Sequence, residues 1–316
     1  MRRLRAGVIG VGYLGRFHAQ KYAALENVDL VGIADISRER AEEVAAEVGT
    51  TAFTDYRELL GLVDLVSIVV PTQYHFPVAK ACLEAGCHIL LEKPVTQTVE
   101  EAEALIRLAA ERRLVFQVGH LERFNPAIMA LKGVLKSPLF IESHRLAPFK
   151  ARGTDVNVVL DLMIHDIDII LNMVPSSVKL VNSVGVPVLS NEVDIANARL
   201  QFDNGCVANV TASRVSREAM RKIRIFQPDA YISIDYQERK ISIFRKDGEG
   251  MPIPGLPHVT MEEKSFEQGD ALLTEIKAFV DAISTGSAPP VTGEDGKRAL
   301  ELALQINRKL WHEVTA

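Results

Sequence analysis

Leu4-Arg-Ala-Gly-Val-Ile-Gly10-Val-Gly12-Tyr13-Leu14-Gly15 is the stretch on which the reading of the chain turns. A short apolar run ends in Gly10-x-Gly12-x-x-Gly15, and helix-forming residues follow from Phe17 to Leu25. That order is strand, tight turn, helix. Gly10 lets the chain turn sharply, Gly12 leaves room for a pyrophosphate to approach the backbone, and Gly15 lets the helix pack close. A helix N-terminus placed there offers N–H groups and partial positive charge to phosphates. A second strand, Val28 to Ala34, ends in Asp35, 20 residues past Gly15, where a dinucleotide site keeps a carboxylate for the ribose hydroxyls. Asp35 favours NAD, because a carboxylate repels a 2′-phosphate, while Ser37 and Arg38 keep NADP open.

Outward from this turn the pattern repeats. Arg38 to Glu47 reads as helix, Ala52-Phe53 as a short strand, and Asp55 to Leu60 as a capped turn of helix. Leu65 to Val70 is a continuous apolar run of the kind found in parallel strands buried on both faces. Phe76 to Ala85 reads as helix, His88 to Leu91 as strand, Val99 to Arg112 as an amphipathic helix and Leu114 to Val118 as strand. The alternation predicts an α/β, doubly wound parallel sheet over residues 1–121.

Residues 122–316 have a different rhythm. Pro126 to Lys136 reads as helix, Phe140 to Leu146 as strand, and Val158 to Met173 as helix closed by Pro175. Strands then follow one another from Val178 to Phe244, with Asp203-Asn204-Gly205 as a hairpin signal. This predicts an α+β domain with a large, open, mostly antiparallel sheet. Its uncovered face suits a second subunit, so a homodimer or homotetramer is expected. Asp247 to Pro257 reads as loop, Asp270 to Ser284 as helix, and 295–312 as a last helix that could pack back on the first domain.

Composition bounds the function. The 316 residues are 47% hydrophobic and 24% charged, with net charge −5, which is globular and carries no nucleic-acid footprint. No apolar run approaches the roughly 18 residues of a membrane helix. The start, Met-Arg-Arg-Leu-Arg, reads as the approach to the first strand, and no leader is expected. Cys82, Cys87 and Cys206 match no common zinc spacing and read as core thiols of a reducing, cytoplasmic compartment.

In a doubly wound sheet, ligands lie outside the carboxyl ends of the strands. Delivered there are Pro71-Thr72 with His75, Glu92-Lys93-Pro94, and Gly119-His120. Lys93 follows a buried strand and precedes a proline. An amine so held can lose its proton near neutrality or polarise an oxygen, although a solvated loop lysine fits the position equally. Asp161 and His165 stand four apart on a helix, with Asp168 three further on. A histidine steered by a carboxylate is a proton acceptor, which removal of a hydride from an alcohol requires. A buried structural histidine and a metal pair are the alternatives at this spacing; we expect the base, and no metal. His120, Arg123 and Asn125 open the second domain, and Arg123, Arg145, Lys150, Arg152 and Arg214 are the cations from which a diphosphate could draw one or two partners.

Together, Gly10-x-Gly12-x-x-Gly15-x-x-His18, Glu92-Lys93-Pro94, Gly119-His-Leu-Glu-Arg-Phe-Asn-Pro126 and Asp161-x-x-x-His165-x-x-Asp168 resemble the glucose–fructose oxidoreductase, inositol dehydrogenase and MocA family. The resemblance implies an N-terminal Rossmann domain, a C-terminal open-sheet domain often used for oligomerisation, and NAD or NADP hydride chemistry on sugars, polyols or sugar nucleotides. It implies catalytic roles for Lys93, His165 and Asp161. It implies cofactor contacts from Gly10, Gly12, Tyr13, Leu14, Gly15, Asp35, Pro71, Thr72, His75, Glu92 and Lys93, and substrate contacts from His120, Arg123, Asn125, Arg152 and His165. The segment from His120 and the stretch Asn191 to Ala198 look like the branch that oxidises nucleotide-linked N-acetylhexosamines in lipid A or surface polysaccharide assembly. Leu121 departs from the polar residue many members carry there. An inositol or free-sugar dehydrogenase, and a non-catalytic sensor of dinucleotide and sugar, remain the alternative readings.

Overall fold

The apolar run Leu65–Ile68, buried at every residue, is the central strand of the first sheet, where the continuous hydrophobic pattern places it. The computed structural model describes residues 3–149, 156–246, 259–267 and 269–314. In chain order, the first half runs β1 (Leu4–Ile9), α1 (Tyr13–Ala23), β2 (Val28–Ala34), α2 (Arg38–Val48), β3 (Thr51–Phe53), β4 (Leu65–Ile68), α3 (His75–Glu84), β5 (His88–Glu92), α4 (Val99–Arg112) and β6 (Phe116–Gly119). The second runs α5 (Pro126–Met129), β7 (Phe140–Leu146), α6 (Ile164–Met173), β8 (Val178–Val186), β9 (Ile195–Phe202), β10 (Val207–Ser213) and β11 (Met220–Gln227). It ends with β12 (Ala230–Asp235), β13 (Lys240–Lys246), β14 (Val259–Ser265), α7 (Ala271–Thr285) and α8 (Gly293–Val314).

Residues 1–121 and 270–300 form one unit, and residues 122–269 and 301–316 another. The first contains a six-stranded parallel sheet in the order β3-β2-β1-β4-β5-β6. The order reverses between β1 and β4, which opens the crevice at which such sheets bind ligands. Local chemistry sets the helix limits. Ser37 caps α2 and Gly49 ends it in the left-handed conformation, and a capping box of Thr98 and Glu101 starts α4.

Residues 270–300 belong with this unit, although their position in the chain suggests the second domain. The reason is apolar. Ile276, Phe279 and Val280 of α7 join the core formed by Ala6, Val8, Tyr22 and Ile33. In the connector after α7 the Val291 carbonyl accepts from the Val118 N–H at 3.1 Å, and Gly293 and Gly296 lie against Phe116 and Val118.

The second unit holds an eight-stranded sheet in the order β14-β13-β12-β11-β7-β10-β9-β8, antiparallel except for the β7–β10 pair. Strict alternation of burial along β7 and β12 shows one covered face and one open face. α6 lies on the covered face, against β7 and β10. The part of α8 after residue 300 lies on β8, where the Ile306 carbonyl accepts from Ser183 Oγ at 3.2 Å.

Three local differences from the sequence reading have physical causes. Helix α5 stops at Met129 instead of Lys136, because Gly133 takes a left-handed conformation and the chain passes through turns. The segment Val159–Met163 is a π-helical turn leading into α6. Edge strand β14 reads Val-Thr-Met-Glu-Glu-Lys-Ser; its charged residues suit an edge and hide it from an apolar search. The expected loop at 247–257 lies outside the described residues. Among those described, no helix is long and apolar enough to cross a membrane.

Phe279 is completely buried in the core of the first unit. Phe279→Ala should cost about 3–5 kcal/mol, read as a lower urea midpoint; a change within error would remove α7 from that core.

Candidate active site

The three glycines divide their work as steric contacts. Gly10 has φ +84°, and a Cβ there would stand 2.6 Å from the Val69 carbonyl oxygen. A Cβ on Gly15 would stand 1.8 Å from the Gly10 carbonyl oxygen, so α1 begins in contact with the turn. A Cβ on Gly12 would meet nothing within 4 Å. Gly12 also starts α1 without a side-chain cap, and the first turn carries no acid. Helix α1 therefore begins at Tyr13, inside the motif and four residues before the expected Phe17. Its positive end faces a side-chain-free approach. A cavity of about 540 Å³ flanks the turn, lined by Gly12, Tyr13, Arg16, Arg40 and Glu43 among others.

Asp35 ends β2 beside this turn and is 8% exposed. Its carboxylate accepts from the Val11 N–H and the Ser37 N–H, both at 2.9 Å, with Arg40 Nη1 3.6 Å away. The open backbone at Gly12, the uncapped helix and the carboxylate at the neighbouring tip fit a dinucleotide.

The tips of β4 and β5 carry the next groups. Pro71 is exposed and Thr72 half-buried, and Thr72 opens a single tight helical turn, 72–74. Lys93 is half-buried beyond the end of β5. His75, expected to touch the cofactor, is instead turned inward and only 1% exposed. Its Nδ1 lies 2.9 Å from the Pro94 carbonyl oxygen and its Nε2 2.9 Å from that of Val70. Burial pushes its pKa below the ordinary value, against the opposing pull of both carbonyls and Glu92.

Glu92, also assigned to the cofactor, accepts from His18 Nε2 at 3.2 Å. Burial alone would raise its pKa, but the His18 hydrogen bond and the charges of His18, Lys93 and His75 outweigh it and hold the pKa low. Glu275 on α7 is a group the sequence reading missed. It is 0% exposed, its carboxyl oxygens have no hydrogen-bond partner among the described residues, and its backbone carbonyl accepts from Gln117 Nε2 at 3.1 Å. Burial, then the charge of Glu92, pushes its pKa well above the carboxylate range. Within α7 an acid at this position reads as an ordinary helix residue. Only the packing of α7 on the first unit makes it a buried acid.

In the second unit, Asn157 Oδ1 accepts from the Val159 and Leu160 N–H groups at 3.1 and 3.2 Å and starts the π-helical turn that carries Asp161. Asp161 and His165 are half-buried. Asp166 and Asp168 are buried and paired with arginines. Asp168 accepts a two-point contact from Arg123, at 2.8 and 2.6 Å, and Arg123 Nη1 reaches Asn172 at 2.8 Å. Asp166 accepts from Ser143 and Arg145, and Arg145 also pairs with Glu122 at 2.9 Å.

These contacts assign structural work to residues considered for substrate. Arg123 fastens α6, and Asn125 Oδ1 caps α5 by accepting from the Ala127 N–H at 3.0 Å. Arg214 pairs with buried Asp194 at 2.7 Å. Burial opposes that charge, yet hydrogen bonds from Ser190, Arg214 and the backbone hold the Asp194 pKa far below its usual range. His120, in the first unit, is buried. Lys150 and Arg152 lie outside the described residues.

A family model described as "Oxidoreductase family, NAD-binding Rossmann fold" matches residues 4–120, and "GFO/IDH/MocA C-terminal domain" matches residues 141–233. The chain is 46% identical over 307 residues to a UDP-N-acetylglucosamine 3-dehydrogenase of Acidithiobacillus ferrooxidans, covering 97% of each chain. A solved structure of that enzyme from the same organism superposes with TM-score 0.91 at 43% identity, covering 98% of both chains. A myo-inositol 2-dehydrogenase of Thermotoga maritima is 26% identical over 97% of this chain and 96% of its own. A Lactobacillus casei scyllo-inositol dehydrogenase with bound NAD(H) and scyllo-inositol, at 21% identity and TM-score 0.82 over 99% of this chain and 98% of its own, shares the fold.

Two outcomes follow from the first unit's geometry. Gly12→Ala should leave the melting temperature within about 2 °C and weaken NAD by about tenfold or more, about 1.4 kcal/mol, in a fluorescence titration. Gly10→Ala should instead lose about 1–3 kcal/mol of stability. Glu275 binds its proton more tightly folded than unfolded. Above its unfolded pKa of about 4.3, stability should therefore fall by about 1.4 kcal/mol per pH unit, until the raised folded value is reached. Glu275→Gln should remove that component from urea midpoints measured between pH 5 and 8; parallel curves for the two proteins would show that Glu275 is ionised in the fold.

Proposed function

Because this chain belongs to the GFO/IDH/MocA oxidoreductase family, we propose that it oxidises the 3-hydroxyl of UDP-N-acetylglucosamine to the ketone, with NAD as acceptor. The observation that carries the substrate is the full-length similarity to an enzyme of that name, at 46% identity against 26% for the inositol dehydrogenase. Lys93 and His165 are both present, which speaks against a non-catalytic sensor.

Gly10, Gly12, Tyr13, Leu14 and Gly15 would hold the pyrophosphate of NAD through backbone and helix charge, and Asp35 would hold its adenosine ribose. Pro71, Thr72, Glu92 and Lys93 line the approach from the β4 and β5 tips, and His75 supports it from inside. NAD, when bound, supplies the acceptor for the electron pair that leaves with the carbon-bound hydrogen. The protein handles the proton. His165 accepts it from the hydroxyl, Asp161 orients the imidazole and favours its charged form, and Lys93 stabilises the developing alkoxide or relays the proton. Substrate contacts fall to His165, His120 and Arg152. Arg123 and Asn125 contribute by fixing the segment that precedes β7.

The open face of the large sheet supports a homodimer or homotetramer. Phe140, Phe226, Tyr231 and Phe244 form a ladder across four adjacent strands, with ring centroids 5.7, 4.9 and 5.4 Å apart. Leu180, Val184 and Val186 are exposed at the other end of the sheet. Apolar surface of this extent favours a second copy of the chain. The three cysteines are free and buried, in keeping with a cytoplasmic enzyme that serves lipid A or surface polysaccharide assembly.

Lys93→Ala and His165→Ala should each lower kcat by about a hundredfold to ten-thousandfold, followed as NADH absorbance with UDP-N-acetylglucosamine, while NAD still binds. Full turnover in either variant would remove that residue from the chemistry, and equal rates with free inositol would reassign the substrate.

A further inference from the structure

His75 is the first residue of α3, and its imidazole touches two strand tips at once. Nδ1 faces the carbonyl oxygen of Pro94, the residue after Lys93, and Nε2 faces that of Val70, the residue before Pro71. Both distances are 2.9 Å, and the ring is buried. Carbonyl oxygens only accept hydrogen bonds. A neutral imidazole has one N–H and can donate to one of them, whereas the cation donates to both. The ring thus lies between the β4 tip and the Glu92-Lys93-Pro94 tip, 2.9 Å from a carbonyl oxygen of each.

The groups around it belong to the same construction. Glu92, at the end of β5, is the carboxylate that acts on the ring, and Lys93, just beyond β5, and His18, from α1, act on Glu92 in turn. Lys93 is therefore held from two sides. Its preceding residue is fixed by His18, and its following residue faces His75.

We propose that His75 is a positioning residue for Lys93, acting through a hydrogen bond from its Nδ1–H to the Pro94 carbonyl. This deepens the reading of Lys93 as the group that stabilises the alkoxide, and rests on it. A long, flexible amine is useful to an alkoxide only when its backbone is fixed, because a misplacement of about 1 Å costs about a hundredfold in rate. His75 supplies that restraint without touching substrate or cofactor.

Asn and Gln separate the two ring contacts, since an Asn amide reproduces an Nδ1 donor and a Gln amide an Nε2 donor. His75→Phe, His75→Asn and His75→Gln would be compared with Lys93→Ala, using NAD and UDP-N-acetylglucosamine. His75→Phe should lower kcat by about tenfold to a hundredfold, with the KM for the sugar nucleotide changed by less than about threefold. His75→Asn should restore kcat to within about threefold of the parent, and His75→Gln should not. A merely structural histidine would move the melting temperature and leave kcat per folded molecule unchanged. Should His75→Phe not fold, the Asn and Gln variants carry the comparison. Rescue by Gln instead of Asn, by both equally, or by neither overturns the proposal, as does parental kcat in His75→Phe. If Lys93→Ala keeps its turnover, the reading of Lys93 itself is what fails. If Lys93→Ala is inactive and His75→Phe is not, only the positioning role falls.

Discussion

The contact between Gly15 and the carbonyl oxygen of Gly10 is the constraint on which the first unit depends. No side chain fits at position 15. The helix that follows is thereby pressed onto the turn, and its other contacts are set from that point. Gly15, His18, Ala19 and Tyr22 form the buried face of α1. His18 holds Glu92 at the tip of β5, and the Tyr22 hydroxyl meets Ser67 Oγ of β4 at 2.9 Å. One helical face thus connects the glycine turn, the central strand and the segment that carries Lys93. From the opposite side, Asp35 binds the Val11 N–H and ties β2 to the same turn. Three strand tips and a helix start converge through a few short contacts, and the open backbone at Gly12 is what they leave between them.

The electrostatics of this unit follow from burial. Glu92 keeps its charge because His18, Lys93 and His75 outweigh its desolvation. For Glu275, burial and the charge of Glu92 push the pKa up instead, toward the protonated form. Two carboxyls on neighbouring elements therefore have opposite tendencies in one core. The second unit sorts its carboxylates differently. Asp166 and Asp168 are matched by Arg145 and Arg123 and fasten α6 in place, while Asp161 and His165 are half-buried. The π-helical turn under Asp161 is common at functional sites, since it changes where side chains project along a helix.

Much of this is legible in the sequence. Glycine spacing, the continuous run at Leu65 and the change from alternating to consecutive strands are local signals, and they define both sheets and the approach at Gly12. What escaped has non-local causes. The pairing of Arg123 with Asp168 spans 45 residues, and no pattern in either segment distinguishes it from an anion site. His75 sits where a cofactor ligand would sit, but its ring turns inward to carbonyls 5 and 19 residues away. Residues 270–300 carry ordinary amphipathic signals that say nothing of which core they join. Edge strand β14 lacks an apolar signature because an exposed edge requires charge.

In the proposed reaction a hydrogen leaves carbon 3 of the sugar for a dinucleotide held at the glycine turn. Its most direct measurement is a single turnover with NAD and UDP-N-acetylglucosamine deuterated at that carbon, followed by the mass of the reduced dinucleotide. NADH carrying one deuterium, formed more slowly than from unlabelled sugar, is the result the account predicts. NADH without the label, or no reduction of NAD by this sugar nucleotide at all, would contradict it.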